Sequence, residues 1–294
     1  MNDSPRNDGG APRPEVRKTY KLYIGGKFPR TESGRSYVPE GAPGVHVCRS
    51  SRKDLRDAVT VARKGLEDWS SRTAYNRGQI LYRLAEMMES RKDALAAEIV
   101  AGSSVELREA VAEVETAVDL CCWYAGLPDK LNALLGSQND VNGPFFAFST
   151  VEPTGVVGVI APEGPALLGL LALLLPVLAG GNAVVALVSE AQPLVGLAFG
   201  EVCASSDVPA GAINLLSGLR DELLPQFASH RDIDGLLSAG TPQRELGVAA
   251  ADSLKRLRFA DLPSDDWGHP LRLRRIDWVE PFVEVKTLWH PVAW

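Results

Sequence analysis

The chain is poor in the residues that build metal centres, disulfide scaffolds and membrane spans. Cysteine occurs four times in 294 residues, at Cys48, Cys121, Cys122 and Cys203. No spacing among them fits a metal-ligand pattern, and Cys121-Cys122 point in two directions on a helix, so neither a zinc site nor a disulfide framework is expected. The four histidines, His46, His230, His269 and His290, are scattered without an i, i+4 relation. Positive charge is not in surplus: a formal net charge of −6 and a pI of about 5.4 exclude a general affinity for nucleic acid or anionic lipid, and only a local basic patch escapes this test. The one membrane-like candidate, Pro165 to Leu178, is too short to span a bilayer and reads as a buried helix. The opening MNDSPRNDGGAPRPEV lacks the apolar core of a signal peptide, so residues 1–17 read as a flexible tail and a cytoplasmic location is expected.

What is present is a chain long enough for a large core, organised around Val151 to Glu190. That stretch reads as apolar strand, turn, apolar helix, Gly-Gly-Asn turn and second apolar strand, a βαβ crossover whose strands must be covered by helices on both faces. Before it, KTYKLYIGGKF predicts a strand and hairpin turn over Lys18 to Phe28, with a short strand around Ser36 to Pro39. Four helical segments follow, near 51–69, 76–88, 93–100 and 105–124, and form an N-terminal helical layer. Residues 126–142 are turn-rich, and PFFAFSTV gives a β segment over 144–151. After the crossover, helices over 194–205, 218–230 and 242–253 alternate with strands over 212–216 and 234–238, which predicts a doubly wound parallel sheet in an α/β fold. The stretch after Leu262 is punctuated by proline, and Phe282 to Leu288 reads as a closing strand.

The order of YKLYIGGKF, RTESGRSYVP, the long helical block, FFAFSTVEPTGVVGVIAP, GGNAVVALVSE and HRDIDGLLSAGT resembles the nucleotide-binding portion of the aldehyde dehydrogenase superfamily over most of Tyr20 to Arg258. FVEVKTLWHP at Phe282 to Pro291 resembles that family's terminal, oligomerisation strand. The resemblance implies a Rossmann-like domain from 18–143 and 152–262, and a β oligomerisation flap from 144–151 and 272–294. The catalytic domain is absent: only about twenty residues, Asp261 to Pro281, stand where a domain-sized block belongs. Such a chain resembles the non-catalytic half of two-part aldehyde dehydrogenases.

The family's chemistry needs a cysteine thiolate, an asparagine amide for the oxyanion and a nicotinamide cofactor. No cysteine follows Cys203, Gly164 stands at the asparagine, Glu163 beside it would disfavour an oxyanion, and Ala260 stands at the general-base glutamate with Asp261 one step on. No catalytic residue and no metal ligand are therefore expected. For the cofactor, Glu190 matches the ribose-binding glutamate while Leu187 replaces its lysine partner. Gly218 matches one phosphate-approach glycine, but Arg220 and Leu224 stand at the later ones, and Asp221 and Glu222 crowd the first helical turn. Gly240 and Thr241 match a phosphate-proximal Gly-Ser. These four, Glu190, Gly218, Gly240 and Thr241, are vestigial cofactor-binding candidates, with NAD or NADP binding expected to be weak or lost. Trp267, Trp278, Trp289 and Trp294 read as anchors in a partner's groove. The expectation is a non-catalytic structural or regulatory subunit of a homo-oligomer, or of a complex with a catalytically complete aldehyde dehydrogenase. An NAD(P)-dependent aldehyde oxidoreductase of unusual design and a weak nucleotide sensor stay open beside it.

Overall fold

In the computed structural model residues 18–260 and 262–292 are described. Residues 1–17, Asp261, Ala293 and Trp294 lie outside them. Two short strands, β1 (Ser36–Tyr37) and β2 (Val47–Cys48), precede helices α1 (Arg52–Ser71), α2 (Ala74–Glu89), α3 (Lys92–Gly102) and α4 (Leu107–Ala125). A short helix α5 (Leu131–Leu135) leads to β3 (Ser137–Asn139) and β4 (Phe145–Pro153). The alternating part then runs β5 (Val156–Ile160), α6 (Ala166–Ala179), β6 (Ala183–Leu187), α7 (Pro193–Ser205) and β7 (Ile213–Leu216). It continues through α8 (Arg220–Ser229), β8 (Gly235–Ala239), α9 (Gln243–Ala250) and β9 (Arg256–Ala260). A four-residue helix α10 (Pro270–Leu273) and three 3-10 turns connect it to β10 (Val283–Pro291).

The central sheet has the order β7-β6-β5-β8-β9, all parallel, so the chain reverses direction across the sheet between β5 and β8. Every residue of β5 to β8 is buried, which is why these strands read as unbroken apolar runs. Strand β9, RLRFA, escaped the sequence reading: it is an edge strand covered only in part, and its arginines interrupt the run.

The helices divide over the two faces. Against one face lie Leu55, Val59 and Ala62 of α1 with Leu223 and Phe227 of α8 and Leu246 of α9. Against the other lie α6 and α7, with α2, α3 and α4 behind them, so the N-terminal helices form a layer from which α1 alone crosses over. Helix α1 begins at a reciprocal capping box: Ser51 Oγ accepts from Asp54 N at 3.3 Å, and Asp54 Oδ2 accepts from Ser51 N at 2.7 Å. Helix α6 is buried at all of its 14 positions, which explains its composition without a membrane. No described helix is long and apolar enough to cross one.

Three expectations change. Over Lys18 to Phe28 the hairpin turn at Gly25-Gly26 is present, closed between Ile24 and Lys27, but the strand before it is reduced to isolated bridges from Tyr20 to Val47 and from Tyr23 to Leu215 of β7. Trp267 and Trp278 are 3% and 7% exposed in this chain's own core, so they are internal packing and not anchors for a partner. The flap begins at Val283 and not at residue 272, since Leu273, Val279 and Phe282 are buried with the main body. There β10 pairs with β4 over nine residues, from Val283↔Pro153 to Pro291↔Phe145, and β3 adds a third, unexpected antiparallel strand.

Candidate functional site

A sheet of this order places its binding crevice beyond the carboxyl ends of the strands, where direction reverses. Four segments meet there: the Pro162–Pro165 turn after β5, Ser189 and Glu190 after β6, Leu219 and Arg220 at the start of α8, and the end of β8. A cleft of about 600 Å³ opens between them, lined also by Tyr37 to Glu40.

Glu163 and Arg220 face each other across this edge. One Arg220 nitrogen pairs with Glu163 Oε1, and the other donates to the carbonyl of Ala239, the last residue of β8, at 2.7 Å. The second Glu163 oxygen accepts from Ser189 Oγ at 2.8 Å and from the backbone N–H of Ala191 at 2.9 Å. Burial by itself would raise the Glu163 pKa, but the hydrogen bonds from Ala191, Arg220 and Ser189, with the guanidinium charge, outweigh it and hold the carboxyl below its usual value. The Arg220 side chain is only 13% exposed. Sequence offered no signal for this pair, whose members are 57 residues apart.

The helix termini that open on the same edge are occupied too. Glu190 Oε2 accepts from the backbone N–H of Arg220 at 2.6 Å, so the N-terminus of α8 is capped from the neighbouring strand. Its main-chain carbonyl accepts from Tyr37 Oη at 3.2 Å. Glu222, expected to crowd this terminus, turns away to Arg49 and Arg35. At α6, Glu113 of α4 accepts from the N–H groups of Leu167 and Leu168 at 2.8 and 3.0 Å. Burial pushes the Glu113 pKa up, against the pull of those two donors.

The remaining candidates do structural work. A Cβ on Gly218 would come within 2.8 Å of Leu223 Cδ1 and 3.2 Å of Ser50 N, so close packing demands glycine there. Gly240 has φ +60 with open space around it, so conformation alone favours glycine. Thr241 Oγ1 bonds Ser238 Oγ at 2.9 Å, a local turn contact. The crevice thus brings Glu190 together with Glu163 and Arg220, and leaves Gly218 in close packing, Gly240 in a turn conformation and Thr241 in a side-chain bond to Ser238.

This topology, with its flap and its helical cladding, has known counterparts. Residues 35–259 match the aldehyde dehydrogenase family. The chain belongs to that family. A curated relative, the mitochondrial benzaldehyde dehydrogenase of Antirrhinum majus, is 31% identical over 255 residues, covering 83% of this chain and 47% of the relative. Among solved structures, betaine aldehyde dehydrogenase of Staphylococcus aureus in complex with NAD+ superposes with a TM-score of 0.76 at 25% identity, covering 82% of this chain and 49% of that one. PnpE from Pseudomonas sp. WBC-3 gives a TM-score of 0.78 at 25% identity, with 82% and 50% covered. The chain spans about half the length of the curated relatives it matches.

The aldehyde dehydrogenase family implies a dinucleotide in this crevice, and the residues present do not fit one. A dinucleotide needs free N–H groups at a helix N-terminus and glycines that let pyrophosphate approach. Here the α8 terminus already holds a carboxylate, and Arg220 stands in the approach with its guanidinium tied to Glu163 and Ala239. The cysteines are equally withdrawn: Cys48, Cys121 and Cys203 are buried, burial raises the thiol pKa of the latter two, and none of the four lines the cleft.

Proposed function

We propose that this chain is a non-catalytic member of the aldehyde dehydrogenase family that acts as a structural or regulatory subunit, pairing through its β flap with a catalytically complete aldehyde dehydrogenase or with a second copy of itself. The observation that carries the reading is the free edge of β10. That strand is paired on one side only among the described residues, and Val285, Leu288 and Trp289 stand exposed along it. Such an edge is a template for a further strand. Its register identifies the donors on offer. Phe282 O accepts from Thr154 N, and Val292 N donates to Pro144 O, so the even-numbered residues of β10 turn their backbone groups toward β4. Val285, Thr287 and Trp289 therefore direct their N–H groups outward, to the open edge.

Two further observations support a non-catalytic role. Between β9 and β10 lie about twenty residues folded as short turns, too few for a domain with its own core. The resemblance aligns Gly164, which has no side-chain donor, with the family's oxyanion asparagine, and the carboxylate of Glu163 stands beside it. Size-exclusion chromatography with light scattering, of the chain alone and mixed with a complete aldehyde dehydrogenase, tests assembly. A species larger than the monomer is expected, and Val285→Pro is expected to abolish it while leaving the circular dichroism spectrum intact. A monomer in both experiments overturns the reading. Aldehyde-dependent NADH formation by the purified chain, abolished by thiol alkylation, would instead establish an unusual oxidoreductase.

A further inference from the structure

The crevice combines four features that would be unrelated in sequence: a carboxylate after β5, a hydroxyl and a carboxylate after β6, a guanidinium at the start of α8 and a carbonyl at the end of β8. They form one connected network that ties together four strand ends. A bound dinucleotide would meet the same edges with its phosphates and riboses. We infer that the Glu163–Arg220–Glu190 network is an internal replacement for the dinucleotide, which occupies the phosphate-binding edge of this crevice and excludes NAD(H) and NADP(H) from it.

Charge and occupancy both oppose a nucleotide at this edge. Pyrophosphate binding at α8 would require Glu190 to leave the Arg220 N–H, to which it is bonded at 2.6 Å. It would bring phosphate beside Arg220, the cation among the described residues lining the cleft, and would compete with Glu163 and Ala239, to each of which one terminal nitrogen already donates. Releasing that guanidinium strands Glu163, which keeps Ser189 and Ala191 as donors but loses its counter-charge. The cleft wall adds Glu40 and Asp221 to Glu163 and Glu190, so four carboxylates stand against one guanidinium. An anion therefore meets repulsion where the fold ordinarily attracts it. Since Glu113 also occupies the N-terminus of α6, the helix pole next to the Pro162–Pro165 turn gives no alternative phosphate seat.

This inference does not depend on the assembly proposed above, and its test leaves that proposal untouched. The purified wild-type chain is titrated with NADH and NADPH, followed by nucleotide fluorescence and by calorimetry, while thermal melts are recorded for wild type, Glu163→Gln, Arg220→Ala and the double variant. No saturable signal is expected up to millimolar nucleotide. Each single substitution is expected to lower Tm by roughly 1–3 °C, and the double variant by clearly less than the sum, because either change breaks the same network. Saturable NADH or NADPH binding by the wild type overturns the inference, and this arm needs no variant to fold. Strictly additive Tm losses, or losses within error of zero, overturn it equally, since the pair would then not act as a lock.

Discussion

Glu163 is the residue on which this crevice departs most from a phosphate-binding design. Its carboxyl is ionised and shared among a guanidinium, a hydroxyl and a backbone N–H, and its pKa lies below the ordinary carboxylate value. The sign for stability follows from linkage. A depressed native pKa stabilises the fold at pH above the unfolded value, about 4.3, and that contribution disappears as pH falls through the lower native pKa. Glu163→Gln should therefore flatten the acid limb of a stability-versus-pH profile measured by urea unfolding between about pH 5 and pH 2. An unchanged acid limb in the variant would show that the pair contributes nothing on folding. Because Glu163 is partly solvated, the effect should be modest, and it should shrink at high ionic strength.

Among the elements, α6 and β10 make opposite demands. Helix α6 has no side-chain cap of its own, since Pro165 precedes it, and borrows a carboxylate from α4. Glu113→Ala should cost about 1–2 kcal/mol in urea denaturation, the usual range for a lost helix cap, while Glu113→Asp should cost a similar amount because the shorter chain cannot reach both N–H groups. Strand β10 is stabilised on its inner side by β4, including the Ser149 Oγ to Thr287 Oγ1 bond at 2.9 Å and the edge-on contact of Phe145 with Trp289. Trp289 is 57% exposed despite that contact. Trp289→Ala should leave the monomer's melting temperature nearly unchanged and weaken any assembly by about tenfold or more, read from the concentration dependence of light scattering. An apolar run between two turns made α6 legible in the sequence, and an apolar segment after the proline-punctuated stretch did so for β10, whereas their partners were not: nothing near Leu167 announces Glu113, and the third flap strand, Ser137–Asn139, is too short and polar to carry a pattern.

At the scale of the whole molecule the chain is a Rossmann-like α/β fold of the aldehyde dehydrogenase family whose carboxyl edge is bridged by its own side chains and whose β10 edge is unpaired among the described residues. The two features are physically separate, and each can fail without the other. If the flap mediates assembly, mixing with a complete aldehyde dehydrogenase should raise the melting temperature of this chain with the logarithm of partner concentration, as expected for a ligand that binds only the folded state. The nucleotide should not produce that shift.

Sequence alone determined the family and the parallel sheet, because these depend on colinear motifs and on the near-continuous apolar runs that strands buried on both faces require. It also placed a carboxylate at Glu163 and a cation at Arg220, without joining them. Only the tertiary structure decided that Glu190 caps α8 instead of standing ready for a ribose, that Arg220 is spent on Glu163 and Ala239, and that Trp267 and Trp278 are core. The reason is that these are contacts between segments tens of residues apart, brought together by the order in which parallel strands lie in the sheet. Strand order leaves no periodic trace along the chain, so what fills the crevice becomes visible only once the strands stand side by side.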